Sequence, residues 1–162
     1  MKKTTKVWLM IATSLILVGC ILAKLFMVKY ETTTYEVSKD FSDISISTDT
    51  ADIIFALSDD GTCKVECYEE ENAKHSVAVE NDVLIVKTNK SWYDYIGYSF
   101  GWSKITIYLP KEEYSELSIN ESTGTVEIPK DCLFENVNIS TSAGDVNFCA
   151  SVSKLVKIKT ST

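Results

Sequence analysis

The chain of 162 residues has no arginine and a single histidine, His75. From residue 30 onward, 11 lysines stand against 23 acidic residues, which gives that part a net charge of −12. An acidic surface without the bidentate donor that reads phosphate and guanine argues against nucleic-acid binding. A Ser–His–Asp or Cys–His site would have to use His75, and no nucleophile motif lies near it. We therefore expect no catalytic residues and no enzymatic activity.

Acidic residues are also absent before Glu31. Residues 1–6 form a basic stub, and residues 7–28 are mostly apolar, with Lys24 as the only charged residue. About 20 apolar residues span a bilayer as a helix, and a lysine near one end can reach the headgroups. The pattern predicts a single transmembrane anchor in a bacterial cytoplasmic membrane. The positive-inside rule puts the amino terminus inside and the remainder outside.

The segment "LVGC", Leu17–Cys20, supports a second interpretation. It fits a bacterial lipobox, in which a peptidase cuts before a cysteine that becomes lipidated, so Cys20 is a candidate lipidation site. The apolar run continues past Cys20, which favours an uncut anchor. Both interpretations place the rest of the chain outside the membrane.

The remaining cysteines are few: Cys63, Cys67, Cys132 and Cys149. In "TCKVECYE" the alternation puts the first two on one face of a strand, which favours reduced core cysteines over disulfides. A zinc site of Cys63, Cys67 and His75 is not expected, because a straight strand separates the two sulfurs too far. The acidic clusters 59–60 and 69–71 have no calcium-binding spacing and are predicted to be solvated turns. No metal or cofactor is expected.

Strand signals dominate after residue 40, and no helical period is visible there. Residues 29–40 are interpreted as a polar spacer ending in an edge strand. In residues 41–162, a phrase of two alternating runs around a Ser/Thr-rich corner recurs about every 20 residues from Leu117, Val137 and Val156, and Ile44 starts a fainter, earlier copy. The fold class predicted is all-β, an antiparallel meander leading into stacked, solenoid-like β-repeats. Ile119, Ile139 and Ile158 are expected in one apolar column.

The corners themselves carry Gly124, Gly144 and Asp145, and Gly is the residue that tolerates a positive φ. The first copy has Ala51 in place of glycine. The last copy stops at "KTST", which predicts that the chain is truncated. Its last strand is then expected either to be the least stable one or to pair edge to edge with another molecule.

These repeats resemble a bacterial family of cell-envelope β-strand-repeat proteins of unknown function, many of them labelled adhesins. The resemblance covers about residues 41–162 and rests on "FSDISISTDTADIIF", "VENDVLIVK", "KITIYLPKEEYSELSINESTGTVEIP" and "VNISTSAGDVNF". It implies a non-catalytic membrane-anchored protein for adhesion, scaffolding or sensing, and it carries no catalytic residues.

The segment "SWYDYIGYSFGW" is the densest aromatic stretch of the chain. Such side chains suit carbohydrate faces and protein hot spots, although they can also close the open end of a sheet. The alternative function is therefore a module that binds a cell-wall glycan or an envelope protein through Trp92, Tyr93, Tyr95, Tyr98, Phe100 and Trp102.

Overall fold

The computed structural model describes residue 8 and residues 13–19, 29–71, 73–89 and 102–161. Residues 13–19 are helical. No helix among the described residues is both long enough and apolar enough to cross a membrane. The predicted anchor, 7–28, lies mostly outside the described residues, and so does Cys20.

The described part of the chain contains eleven β-strands: β1 (Tyr30–Val37), β2 (Asp43–Leu57), β3 (Cys63–Glu70), β4 (His75–Glu80), β5 (Val83–Thr88), β6 (Ser103–Leu109), β7 (Glu113–Thr123), β8 (Val126–Ile128), β9 (Leu133–Ala143), β10 (Val146–Phe148) and β11 (Ser151–Thr160). The all-β prediction is confirmed. The segment predicted as a polar spacer is itself mostly strand, because β1 pairs antiparallel with β3 along its whole length.

The strands form two layers that enclose the core. In the first layer the order is β1-β3-β6-β2-β8-β10, and in the second it is β4-β5-β2-β7-β9-β11. Strand β2 belongs to both layers, since residues 43–50 pair in the second and residues 51–57 in the first. From β2 onward each coil has one strand in each layer, and equivalent strands pair in parallel. This is the predicted stack of repeats.

The prediction of an antiparallel first half is only partly right. The pairs β1–β3, β3–β6 and β4–β5 are antiparallel, and Asn81 and Asp82 form the β4–β5 turn with positive φ values of 51° and 70°. However, β5 and β6 both pair with β2 in parallel. The antiparallel strands thus extend the same two layers instead of forming a separate meander.

Glycine is needed at the corners because successive coils touch there through their backbones. Gly124 has a φ of +151°, and a Cβ added to it would lie 1.9 Å from the carbonyl oxygen of Ala51. Gly144 has a φ of +139°, and its added Cβ would lie 1.8 Å from the carbonyl oxygen of Gly124. The conformation and the close approach both require a residue without a side chain.

Ala51 occupies the first corner of this stack, within the continuous strand β2. Its side chain is fully buried, and it is absent from the residues with positive φ. The corner expected at residues 49–52 is therefore a place where an unbroken strand passes from one layer to the other. The carbonyl of Ala51 contacts the next corner at Gly124, just as the carbonyl of Gly124 contacts the corner after it. The extended backbone of Ala51 itself leaves room for a Cβ.

The predicted apolar column has the expected register. Ile46 pairs with Ile119, Ile119 with Ile139, and Ile139 with Ile158. The first three are at most 1% exposed, whereas Ile158 is 40% exposed. Strand β11 is the outer strand of its layer, and among the described residues no strand of the opposite layer faces it. Ile158 therefore has the expected register, and its exposure follows from the position of β11 at the outer end of the layer.

The side of the sandwich opposite the glycine corners is closed by aromatic rings. Phe41 stacks on Tyr114 with ring centroids 5.6 Å apart, and Tyr114 contacts Phe134 at 6.1 Å. Phe134 in turn meets Phe55 edge-on at 6.3 Å. Because Tyr114 and Phe134 occupy equivalent, directly paired positions in β7 and β9, these rings fix the spacing of the coils on that side.

Replacement of Gly124 by alanine tests the stacked corners. We expect Gly124→Ala to destabilise the protein by about 1–3 kcal/mol beyond the strain of its backbone conformation, because the new Cβ meets a carbonyl oxygen that cannot move alone. The free energy of unfolding in denaturant measures the loss. Gly61→Ala is the matched control: Gly61 has a φ of +73°, but an added Cβ there meets nothing within 4 Å. Equal losses for the two variants would contradict the close approach.

Candidate functional site

The predicted corner residues lie together on one side of the sandwich. The carbonyl of Thr125 accepts a hydrogen bond from the backbone N–H of Ile53 at 2.8 Å. The carbonyl of Asp145 accepts from the N–H of Val126 at 2.9 Å, while the residue itself is exposed. Gly124 N–H donates to Ala143 at 3.1 Å. The corners are thus connected by backbone hydrogen bonds as well as by packing.

Asp52 connects the first two corners and the aromatic segment. Its Oδ1 accepts from the backbone N–H of Thr125 at 2.9 Å, and its Oδ2 accepts from the indole N–H of Trp102 at 2.8 Å. Trp102 is nevertheless 54% exposed. An indole that is oriented by a carboxylate and still open to solvent is a suitable contact for a partner.

The other aromatic residues predicted to bind a partner are outside the described residues: Trp92, Tyr93, Tyr95, Tyr98 and Phe100. Their role stays a prediction. What the structure adds is the attachment point of the segment, since Trp102 directly precedes β6 and bonds to Asp52 in the corner region.

A row of buried polar side chains lines the inside of the corners. Thr48, Glu121 and Thr141 are paired neighbours in the second layer and are 5%, 2% and 2% exposed. Neither carboxylate oxygen of Glu121 has a hydrogen-bond partner, and the hydroxyl of Thr48 has none either. Periodicity predicts apolar residues here, so only the structure reveals these polar groups.

Burial shifts the acidity of Glu121. Removal from water raises the pKa of its carboxyl to about 7; the backbone amide of Ala51 partly opposes the shift, although it does not reach hydrogen-bond geometry, and the charge of Asp52 adds to it. A buried carboxyl with this pKa exchanges its proton near neutral pH. No nucleophile or cofactor group among the described residues accompanies it, so the geometry indicates a titrating structural group.

His75 is also buried, which the sequence did not predict. It is the first residue of β4, is 3% exposed, and lies against Glu69, which is fully buried. Glu69 Oε2 accepts from the backbone N–H of His75 at 2.6 Å and lies 2.7 Å from its Nδ1. The expectation of a solvated turn at residues 69–71 is therefore wrong for Glu69: the alternation of β3 turns its side chain into the core.

Cys67 belongs to the same cluster. One donor atom from each of Cys67, Glu69 and His75 lies within 4.8 Å of the other two. Cys63, which the sequence suggested as the second sulfur of a zinc site, does not take part. Oxygen Oε1 of Glu69 is buried without a hydrogen-bond partner. The alternation that places Cys63 and Cys67 on one face of β3 also turns Glu69 inward, but its closeness to His75 depends on the packing of two layers.

The surroundings of the buried thiols make them unreactive. Burial raises the pKa of Cys63 and Cys67 to about 12 and that of Cys132 to about 11, with carboxylates nearby acting in the same direction. These three are free core cysteines, as predicted, whereas Cys149 is free but exposed. At neutral pH none of the three buried thiols supplies a thiolate nucleophile.

An open groove runs between the edge strands of the two layers. It has a volume of about 670 Å³ and is lined by residues 34–39 from the β1 side and 77–80 from β4. Tyr35 and Val37 face Val77 and Val79, and all four pack partly against the core. The hydroxyl of Tyr35 donates to the carbonyl of His75 at 2.9 Å, which connects the groove to the buried cluster.

Comparisons with known proteins agree with this architecture. The pattern that defines the Toastrack DUF4097 family matches residues 41–162. A solved structure from Clostridium sporogenes, described as a "putative cell adhesion protein", is 12% identical, with a TM-score of 0.52 over 83% of this chain and 68% of that one. A "putative adhesin" from Bacteroides fragilis is 14% identical, with a TM-score of 0.39 over 82% and 94% of the two chains. No curated protein matches in sequence.

The pKa of Glu121 leads to a pH-dependent stability. The folded pKa of about 7 lies above the ordinary value of 4.5, so the folded state binds the proton more tightly than the unfolded state. This contribution is fully present below about pH 4.5 and is lost as the pH rises through 7. Urea unfolding at pH 5 and at pH 8 gives the free energy of unfolding at each pH. Glu121→Gln should reduce the difference between these two free energies by up to about 3 kcal/mol.

Glu116→Gln is the control for this experiment. Glu116 is an exposed glutamate of the same strand, β7, so the exchange removes the same charge without affecting a buried group. A pH dependence that is the same in Glu121→Gln and in the wild type would show that Glu121 is not the titrating group.

Proposed function

The chain belongs to the Toastrack DUF4097 family, and on that premise we propose that it is a non-catalytic protein of the bacterial cell envelope that binds an envelope partner. Adhesion to a cell-wall glycan or an envelope protein is the role that we favour. Residues 7–28 hold it in the cytoplasmic membrane with the amino terminus inside, and the β domain lies outside. The resemblance to the C. sporogenes structure supports the fold, and the binding role is our inference.

The oriented and exposed indole of Trp102 is the observation that carries this proposal. Most exposed aromatic side chains are free to rotate, but Asp52 holds this one by a 2.8 Å hydrogen bond. Asp52 is itself fixed through Thr125 to the next corner, 73 residues away in sequence. A rigid aromatic anchor needs less ordering when it binds, and further aromatic residues precede Trp102 in the sequence.

The interior supports a non-catalytic role. The single histidine of the chain is buried and already paired with Glu69, and the three buried thiols are protonated at neutral pH. The described residues therefore offer no accessible acid–base or nucleophilic pair in a cleft.

Substitution of Trp102 tests the binding role. We expect Trp102→Ala, in the full chain reconstituted in lipid nanodiscs, to bind isolated cell-wall glycan or envelope protein at least about tenfold more weakly than the wild type, because a hot-spot aromatic side chain contributes more than about 1.4 kcal/mol. Leu155→Ala is the control, since Leu155 is a 62% exposed apolar residue on β11. Equal affinities of the Trp102 variant and the wild type would contradict the proposal.

The proposed location has its own test. Two reporter enzymes are fused in turn after residue 162, one that is active only outside the cytoplasm and one that is active only inside it. We expect activity only from the first, because the basic residues 1–6 stay inside. Activity of the cytoplasmic version alone would contradict the orientation. Cys20→Ala distinguishes the anchor from a lipoprotein: we expect it to leave lipid labelling and membrane association unchanged.

Self-association of the last repeat stays a prediction. Val156 and Ile158 continue the inward apolar positions of β9 but are 46% and 40% exposed. Their partners in β9, Val137 and Ile139, are buried. The lysines at 157 and 159 alternate with these residues and so point to the outer face, where they do not block contact with a second copy.

A further inference from the structure

The turn from β3 to β4 carries the chain from one layer of the sandwich to the other, and three metal-ligating side chains converge beside it. Cys67 and Glu69 lie two residues apart on the inward face of β3, and His75 opens β4. Their relative exposures are 0%, 0% and 3%. One ligand atom from each lies within 4.8 Å of the other two.

Only one of the two carboxylate oxygens of Glu69 has a hydrogen-bond partner in the protein. Its Oε2 accepts from the backbone N–H of His75 and lies 2.7 Å from the ring Nδ1, but its Oε1 is buried with no partner. An unpaired carboxylate oxygen in the core is costly unless a cation or a donor compensates it.

The nearby groups that could supply a donor are already engaged elsewhere. The hydroxyl of Tyr35 donates to the carbonyl of His75. Lys74 forms its salt bridge with Glu31, on the surface. The missing partner of Glu69 Oε1 is therefore not provided by these side chains.

We propose that Cys67, Glu69 and His75 bind one borderline divalent cation, of which Zn²⁺ is the best match. A thiolate, an imidazole nitrogen and a carboxylate oxygen are the ligand types of zinc, with bond lengths of about 2.0–2.3 Å. Around one tetrahedral ion such ligand atoms lie roughly 3.3–3.7 Å apart. The three atoms now lie within 4.8 Å of one another, so shifts of about 1 Å bring them to these distances. The cation takes the place of the Cys67 thiol proton, which is released to solvent.

The cation joins the two layers. Cys67 and Glu69 are in the layer that contains β1 and β6, whereas His75 is in the layer of β4 and β5. The hydrogen bond from Tyr35 to the carbonyl of His75 connects the site to the β1–β4 groove, so an ion there holds the two layers together beside this groove. The role is structural, and it does not depend on the binding function proposed above.

Cobalt binding tests this site directly. The metal-free full chain, in detergent and with thiols reduced, is titrated with Co²⁺ alone and followed by absorption. We expect a thiolate-to-cobalt charge-transfer band with tetrahedral d–d bands, and we expect Zn²⁺ to displace them. Cys67→Ala should abolish the charge-transfer band, and Glu69→Gln should weaken binding by at least about tenfold.

Cys63→Ala is the matched control, because Cys63 is a buried cysteine on the same face of the same strand and is outside the cluster. It should keep the bands and the rise in unfolding temperature that Zn²⁺ produces. Absence of a thiolate band in the wild-type protein would overturn the proposal without any variant. An equal rise in unfolding temperature in Cys67→Ala would also overturn it, since the binding would then be to the acidic surface. Cys67→Ser serves if the alanine variant fails to fold.

Discussion

The rest of this structure depends on one contact: the backbone carbonyl of each corner lies against the Cα of the glycine in the next corner. The oxygen of Ala51 lies against Gly124, and that of Gly124 lies against Gly144. A side chain at either glycine would push the coils apart on this side. With the coils this close, equivalent strands pair in parallel in both layers, and the apolar positions of successive repeats become direct neighbours. The aromatic rings on the opposite side, from Phe41 to Phe55, maintain the same spacing by packing.

Close stacking also explains where the fold tolerates polar groups in its interior. Glu121 lies between Thr48 and Thr141 at the point where the chain turns from one layer to the other, and it has a raised pKa because water cannot reach it. Glu69 lies at the other crossover, from β3 to β4, where His75 and a buried thiol accompany it. Both carboxylates occur at transitions between the layers, where the alternating apolar pattern is interrupted, and both weaken the core unless a proton or a cation compensates them.

The surface features are separated from this interior. Trp102 and the aromatic segment that precedes it are attached at the corner side through Asp52, and the apolar inward face of β11 is exposed at the outer end of the stack. A partner that binds Trp102 therefore contacts the rigid ladder of corners, through which Asp52 and Thr125 connect two coils.

The sequence by itself determined the all-β class, the period of about 20 residues, the register of Ile119 with Ile139, and the need for glycine at 124 and 144. These follow from alternation and turn chemistry, which are local properties. It did not determine that β2 passes unbroken between layers or that Glu69 meets His75. Those outcomes depend on which strands meet across the sandwich, and residues such as Cys67 and His75, or Asp52 and Trp102, become neighbours only when distant segments pack. Tertiary structure alone decided them, because burial and ligand geometry are properties of the packed layers.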